Sequence, residues 1–347
     1  MERKIKTAVI GLGKMGILHT AIVNMIPDAE LKAVADTNRQ LATYVQQSGL
    51  KARFFSDVDE MLAEEPLDAA LIVTPGFANR EVAEKCLAKG LDVFVEKPLA
   101  HTFADAKVLA ALAEARKGVY ATGYLLAHWA LFKKARQVLA DGCIGGLFRY
   151  KATMYTSEVF GRKKGWTYDK EKAGGGALMA IGSHLLYVLY WYFGRPARVF
   201  AQAPSFYSAD VEDAATALFD YDSGLRGLVD VNWSLPGYRL PYVEITAEGD
   251  NGVLELTNDH LKLHLYKPGR GFAKDWTTIH KIDMPSSSRF ELGAEGLYEE
   301  DQEFISRCLD RKRPAVTWAD GLEVQRMIEA VYRSSAERRT IALGDVR

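Results

Sequence analysis

In AVIGLGKMGILHT, residues 8–20, an apolar run meets Gly11, Gly13 and Gly16 and continues into a helix-patterned segment. A strand that ends in G-x-G-x-x-G and opens a helix needs a tight turn at the first glycine and close helix–strand packing at the third. A second strand pattern, ELKAVAD, ends at Asp36, 20 residues after Gly16. At that spacing a carboxylate can accept hydrogen bonds from an adenosine ribose, while backbone N–H groups of the turn face a pyrophosphate. Gly11, Gly13, Lys14, Met15, Gly16 and Asp36 are therefore candidate cofactor contacts. Asp36 would repel a 2′-phosphate, so NAD is expected. Arg39, three residues on, keeps NADP open, because its guanidinium can pair with that phosphate or stack on adenine. The structural alternative for Asp36 is a strand-end helix cap.

The pattern that follows the glycines sets the architecture. From Lys6 to about Gly123, short β-rich runs (TAVIGL, DAALIVTP, LDVFVEKP, VYATGY) alternate with helical stretches such as EVAEKCLAKG. Such alternation predicts βαβ units and a parallel sheet, over residues 1–123. Residues 124–347 read differently, with longer strands of period-two alternation. In GLRGLVDVNWSL, Leu225, Gly227, Val229, Val231 and Trp233 share one face, and a turn is expected at Asp250-Asn251-Gly252. An α/β fold class is expected, the second domain carrying a largely antiparallel sheet with helices on one face. A chain of 347 residues with 48% hydrophobic side chains is long enough for two such cores.

Charge and cysteine usage exclude several partners. The formal charge is −1 with no basic block, which argues against nucleic acid and acidic membrane surfaces and for a small-molecule partner. Cys86, Cys143 and Cys308 lie far apart, without metal-ligand or disulfide spacing, and read as small buried hydrophobes in a reducing compartment; no metal is expected. The start, MERKIKTAVI, is charged and then strand-like, unlike a signal peptide, and the longest apolar run, ALMAIGSHLLYVLYWYFG, is short of a membrane span. A cytoplasmic protein is expected.

Two further stretches carry chemistry. VFVEKPLA ends a hydrophobic strand in Glu96-Lys97-Pro98, at the carboxyl edge of the sheet where ligands bind. There the Lys97 ammonium can hydrogen-bond a substrate hydroxyl, although a strand-end Glu96–Lys97 surface pair is the plainer reading. In KAGGGALMAIGSHLLYVLYW, Gly174–Gly176 enter a helix on which Ala180, His184, Tyr187 and Trp191 fall on one stripe. A lone helical histidine is usually a packed core residue.

Together AVIGLGKMG, Asp36, VTPGFANREVAEKCLAKGLDVFVEKPLA, GGGALMAIGSH and FISRCLDRKRPAVTWADGLEVQRMIEAVYRSS resemble the Gfo/Idh/MocA oxidoreductase family over nearly the whole chain. The resemblance implies an N-terminal Rossmann domain, a C-terminal α/β domain with an open, mostly antiparallel sheet, and homodimers or homotetramers packed through that sheet. It also implies nicotinamide-dependent chemistry on sugars, polyols or their derivatives. By position, Lys97 matches the family's active-site lysine, His184 its proton-shuttling histidine, and Thr74 and Pro75 the loop beside the nicotinamide. The chain departs from the family at three positions: Ala180 stands where many relatives carry an aspartate, Tyr187 where many carry another, and Asn79 at a loop position often held by histidine. Tyr187, on the His184 stripe, is a candidate to supply a hydroxyl in place of the missing carboxylate.

The expected function is hydride transfer between the nicotinamide and a secondary hydroxyl or ketone of a sugar, cyclitol or sugar derivative, with His128, Trp166, Tyr168 and Asp169 as candidate substrate contacts beside Lys97 and His184. Glu96, Lys97 and Asn79 are expected near the cofactor. Two alternatives remain at this stage, an NAD-retaining glycoside hydrolase or lyase that uses transient oxidation, and a non-catalytic NAD-binding sensor.

Overall fold

The computed structural model describes residues 3–285 and 295–347; of the charged N-terminal stretch, Met1 and Glu2 lie outside the described residues. Two compact units form, Met1–Leu125 with Ser288–Leu322, and Leu126–Ser287 with Glu323–Arg347.

The first unit strings together β1 (Ile5–Ile10), α1 (Lys14–Met25), β2 (Ala29–Ala35), α2 (Leu41–Gln47), β3 (Arg53–Phe55), α3 (Val58–Glu64), β4 (Ala69–Ile72), α4 (Gly76–Ala88), β5 (Asp92–Glu96), α5 (Phe103–Glu114) and β6 (Tyr120–Gly123). The sheet is parallel throughout, in the order β3-β2-β1-β4-β5-β6, the arrangement of a Rossmann fold. Both faces are covered, which is why its strands read as continuous apolar runs. Ile10, Ala35, Ile72 and Val95 enter one buried layer. Val9, Val34, Leu71 and Phe94, one residue out of phase, enter the other.

The second unit contains α6 (Ala130–Ala140), β7 (Leu147–Tyr155), α7 (Lys170–Ala173), a single π-type turn (Leu178–Gly182) running into α8 (Ser183–Phe193), then β8 (Arg198–Gln202), β9 (Ala214–Asp220), β10 (Arg226–Asn232), β11 (Tyr242–Gly249), β12 (Gly252–Thr257), β13 (His260–Leu265), β14 (Asp275–His280) and β15 (Ile341–Ala342). Its strands pair in the order β14-β13-β12-β11-β7-β10-β9-β8-β15. Only β7 and β10 run parallel; the other pairs are antiparallel. Leu225, Gly227, Val229, Val231 and Trp233 are all buried, as the period-two pattern requires. The stretch Lys170–Phe193 is, by length and composition alone, long and apolar enough to cross a membrane, although Gly174 interrupts its helix after α7. In this structure 83% of its apolar window is buried, with Gly182 against Val231 of β10.

The structure divides the chain differently from a single break after residue 123. Helix α9 (Glu295–Asp310) lays Phe304, Ile305 and Cys308 into the buried layer of Val9 and Phe94. Trp318, which opens α10 (Trp318–Glu337), enters the opposite layer and donates its indole N–H to the Ala121 carbonyl at 2.9 Å. An amphipathic helix pattern shows that a face is buried without saying which sheet receives it. Cys86, Cys143 and Cys308 are free and buried, as expected, and burial pushes the Cys86 thiol up to about 12, so it stays protonated.

Candidate functional site

The glycine turn is built from three different constraints. Gly11 has φ +95°, and a Cβ there would lie 2.7 Å from the Val73 carbonyl oxygen. At Gly16 a Cβ would lie 1.8 Å from the Gly11 carbonyl oxygen, so this glycine lets α1 close onto the turn. Gly13 has an ordinary φ of −63° and nothing within 4 Å of its would-be Cβ. Gly13 therefore leaves open space directly before the N-terminus of α1. No side chain caps that helix end and its first turn holds no acid, so its N–H groups and positive dipole end suit a pyrophosphate.

Asp36 stands beside this turn, where its Oδ2 accepts the Leu12 N–H at 2.6 Å and its Oδ1 accepts the Asn38 N–H at 2.8 Å. Asp36 caps no helix, because α2 begins after Gln40; its two bonds to loop N–H groups fix the carboxylate at the strand end, and a carboxylate with about four lone-pair sites keeps further acceptor capacity. Arg39 is exposed, three residues beyond. The residues present thus fit a bound dinucleotide: open space at Gly13, unclaimed N–H groups at α1 and a fixed carboxylate at Asp36.

At the same carboxyl edge, Thr74 donates its hydroxyl to Asn79 Oδ1 at 2.8 Å, and the Asn79 amide donates to the carbonyls of Pro98 and Leu99 at 3.1 and 3.4 Å. Asn79 is buried, so its expected cofactor contact is corrected to a clamp between the Thr74–Pro75 loop and the turn that carries half-buried Lys97. Glu96 is corrected in the same way. Its carboxylate turns inward over Gly123, where a Cβ would come within 3.3 Å of Glu96 Cδ, and lies 3.7 Å from His19 Nε2. His19 in turn holds both Asp301 oxygens through Nδ1, at 2.9 and 3.0 Å. Burial alone pulls the His19 imidazole down, but the Asp301 and Glu96 carboxylates outweigh it and hold it well above its ordinary value. This cluster escaped the sequence reading. The only hint was a polar residue in the buried Gly16, His19, Thr20, Val23 stripe of α1, and Asp301 lies 282 residues away.

In the second unit the triple glycine has equally local causes. Gly174, at φ +79°, ends α7. A Cβ on Gly175 would meet the Tyr332 hydroxyl at 1.9 Å, and one on Gly176 the Glu212 carbonyl oxygen at 2.0 Å. The Glu212 carboxylate accepts the N–H groups of Gly176 and Leu178 at 2.8 and 2.9 Å and the Tyr332 hydroxyl at 2.9 Å, anchoring the start of the helical run that bears His184. Sequence gave no sign of this role for Glu212.

His184 is buried on α8, two residues past the end of the π-type turn. That turn contains Ala180, so the regular stripe expected from Ala180 to His184 is corrected: the π-type turn shifts the helical register between them, a feature frequent at functional sites. Tyr187 is fully buried, its ring stacked on Trp191 at 6.3 Å, and Trp191 is covered by the Arg136 guanidinium at 4.7 Å.

His128 is buried too, and desolvation followed by the Lys133 charge pushes it down to about 3, so it is neutral at physiological pH. Asp169 caps α7: it accepts the Glu171 N–H at 3.1 Å and pairs with Lys172 at 3.2 Å, with its carboxylate still part-exposed. Tyr168 packs on Trp233 at 5.7 Å, and Trp166 is 45% exposed.

Residues 5–124 match the family model for an oxidoreductase family with an NAD-binding Rossmann fold, and residues 132–255 match the GFO/IDH/MocA C-terminal domain. The chain belongs to the Gfo/Idh/MocA family. It is an oxidoreductase whose first unit is an NAD-binding domain. This family member is 25% identical to D-apiose dehydrogenase from Paraburkholderia graminis over 98% of its own length and 90% of the relative's. To scyllo-inositol 2-dehydrogenase (NAD(+)) from Bacillus subtilis it is 24% identical, covering 76% of this chain and 78% of that one. Among solved structures, levoglucosan dehydrogenase in complex with NADH superimposes with a TM-score of 0.89 at 20% identity, over 98% of this chain and 99% of that one. GenD2 from gentamicin A biosynthesis in complex with NAD gives 0.83 at 26% identity, over 99% and 97%.

Proposed function

We propose that this protein is a cytoplasmic NAD-dependent dehydrogenase or reductase that moves hydride between the nicotinamide and a secondary hydroxyl or ketone of a sugar, cyclitol or sugar derivative. The observation that carries the reading is the gathering of the open glycine turn, the fixed Asp36 carboxylate and the Lys97 turn at one carboxyl edge of the parallel sheet. The names of the relatives, dehydrogenases of apiose and scyllo-inositol, support the substrate class.

Gly11, Gly13, Lys14, Met15 and Gly16 receive the pyrophosphate, Asp36 the ribose hydroxyls, and Thr74 and Pro75 flank the nicotinamide, which supplies the hydride acceptor when bound. His184 accepts the proton of the substrate hydroxyl as hydride leaves its carbon. Lys97 donates a hydrogen bond to that oxygen and stabilises the negative charge that develops on it. Incubation with NAD and a panel of aldoses, polyols, inositols and sugar phosphates tests the reading: NADH must form with at least one of them, and a panel without turnover counts against it.

Asp36 sets the cofactor preference in this account. Asp36→Ala removes two ribose hydrogen bonds and the repulsion of a 2′-phosphate, and is expected to shift NAD-over-NADP selectivity by about 1–3 kcal/mol. Parallel titrations of both cofactors against wild type and variant measure this, and tighter NADP binding by the wild type would sink it.

A homodimer or homotetramer formed through the outer face of the nine-stranded sheet completes the proposal. Phe200, Leu218 and Leu228 align across β8, β9 and β10, with Phe200 40% and Leu218 54% exposed. Sedimentation at low micromolar concentration should give an oligomer that Leu218→Lys weakens; a monomeric wild type rules it out.

A further inference from the structure

Behind the Lys97 turn lies the cluster of His19 from α1, Glu96 from the end of β5, and Glu300 and Asp301 from α9, all buried in the first unit. A ring nitrogen of His19 and one oxygen each of Glu96 and Glu300 lie within 4.8 Å of one another. Asp301 is satisfied by His19. By contrast His19 Nε2, Glu96 Oε1 and both Glu300 oxygens have no hydrogen-bond partner among the described residues, although Glu300 is only 2% exposed.

Three carboxylates around one imidazole carry a net charge of −2 if all four ionise, and burying an unpaired carboxylate costs several kcal/mol. Lys97 is close enough for its ammonium to act on Glu300 electrostatically. Counting Lys97, the five groups sum to zero only if one carboxyl keeps its proton. Glu300 is the one without a partner. An ionised Glu300 would also compete for the Lys97 ammonium as a counter-ion.

We propose that Glu300 is a positioning residue that stays protonated in the folded enzyme, gives Glu96 and the His19–Asp301 pair a neutral neighbour, and so leaves the Lys97 ammonium to the reacting oxygen. The burial of Glu300 beside Glu96 pushes its carboxyl in the same direction, well above the ordinary range. The part played by Lys97 rests on the proposed dehydrogenase function; the resident proton does not.

The sign of the linkage follows. A carboxyl raised on folding contributes most stability below its unfolded value near 4.5, and that contribution falls as pH rises toward the folded value. Glu300→Gln keeps the shape of the neutral acid and both a donor and an acceptor but cannot ionise. Denaturant unfolding of wild type and Glu300→Gln, between about pH 5 and 8, is expected to show the variant gaining relative stability by up to about tenfold in equilibrium constant per pH unit. A pH-independent difference overturns the proposal. So does a metal dependence, seen as a stability loss on chelation in wild type and not in the variant. On a substrate that forms NADH, Glu300→Ala should lower kcat while leaving NADH affinity in place, and Glu300→Gln should restore it; equal kcat losses in the two variants overturn the positioning role. If wild type forms NADH from no substrate, the dehydrogenase reading has failed and the unfolding series still decides whether the proton is there.

Discussion

Lys97→Met and His184→Ala are each expected to lower kcat by about 10²-fold or more on any substrate that yields NADH, the range for a general acid–base group or an electrostatic partner of the reacting oxygen. NADH affinity should stay within about twofold, because neither side chain is assigned to the pyrophosphate or the ribose. Steady-state kinetics with a separate fluorescence titration of NADH makes the distinction. Tyr187→Phe refines it: a kcat loss comparable to His184→Ala puts the phenol in the proton path, and a normal kcat leaves Tyr187 as packing beneath Trp191. Ala180→Asp, which introduces the carboxylate that the family resemblance implies at this position in many relatives, is expected to alter substrate preference more than overall rate.

The second large effect separates binding from folding at the glycine turn. Gly13→Ala places a methyl where nothing lies within 4 Å and at a φ of −63° that alanine readily adopts, so the melting temperature of the cofactor-free protein should hardly change. The methyl occupies the space before α1, and NADH affinity should fall tenfold or more, about 1.4 kcal/mol. Gly16→Ala must instead displace the Gly11 carbonyl, 1.8 Å from the new Cβ, and should lose both stability, by about 1–3 kcal/mol, and binding. Thermal melts with and without NADH read both quantities. A Gly13→Ala protein that binds NADH as wild type does would remove the pyrophosphate from this turn.

What was legible in the sequence follows from how far each signal reaches along the chain. The parallel sheet showed as apolar runs such as AALI and DVFVE because both its faces are covered, and β10 showed as strict alternation because only one of its faces is. The glycine turn and Asp36 were legible because their constraint spans a single βαβ unit. Contacts that join distant segments were not. The return of α9 to the first unit, the His19–Asp301 pair and the anchoring of the His184 helix by Glu212 depend on tertiary packing that periodicity cannot express. The π-type turn at Ala180 changes hydrogen-bond register without a distinctive residue, so a regular stripe was the natural expectation. The backbone bonds of Asn79 and Asp169 were not legible for a different reason: short polar side chains beside a functional loop serve neighbouring backbone groups as readily as a ligand.

The most direct measurement is the fate of the hydrogen at the reacting carbon. A substrate from the NADH-forming panel, deuterated at the carbinol carbon that is oxidised, should deliver its label to the nicotinamide ring, and NADH isolated from wild type should carry that deuterium in full. The Lys97→Met protein should form the same labelled product at the reduced rate. NADH without label, or label lost to solvent while the cofactor stays oxidised, would contradict direct hydride transfer and the account built on it.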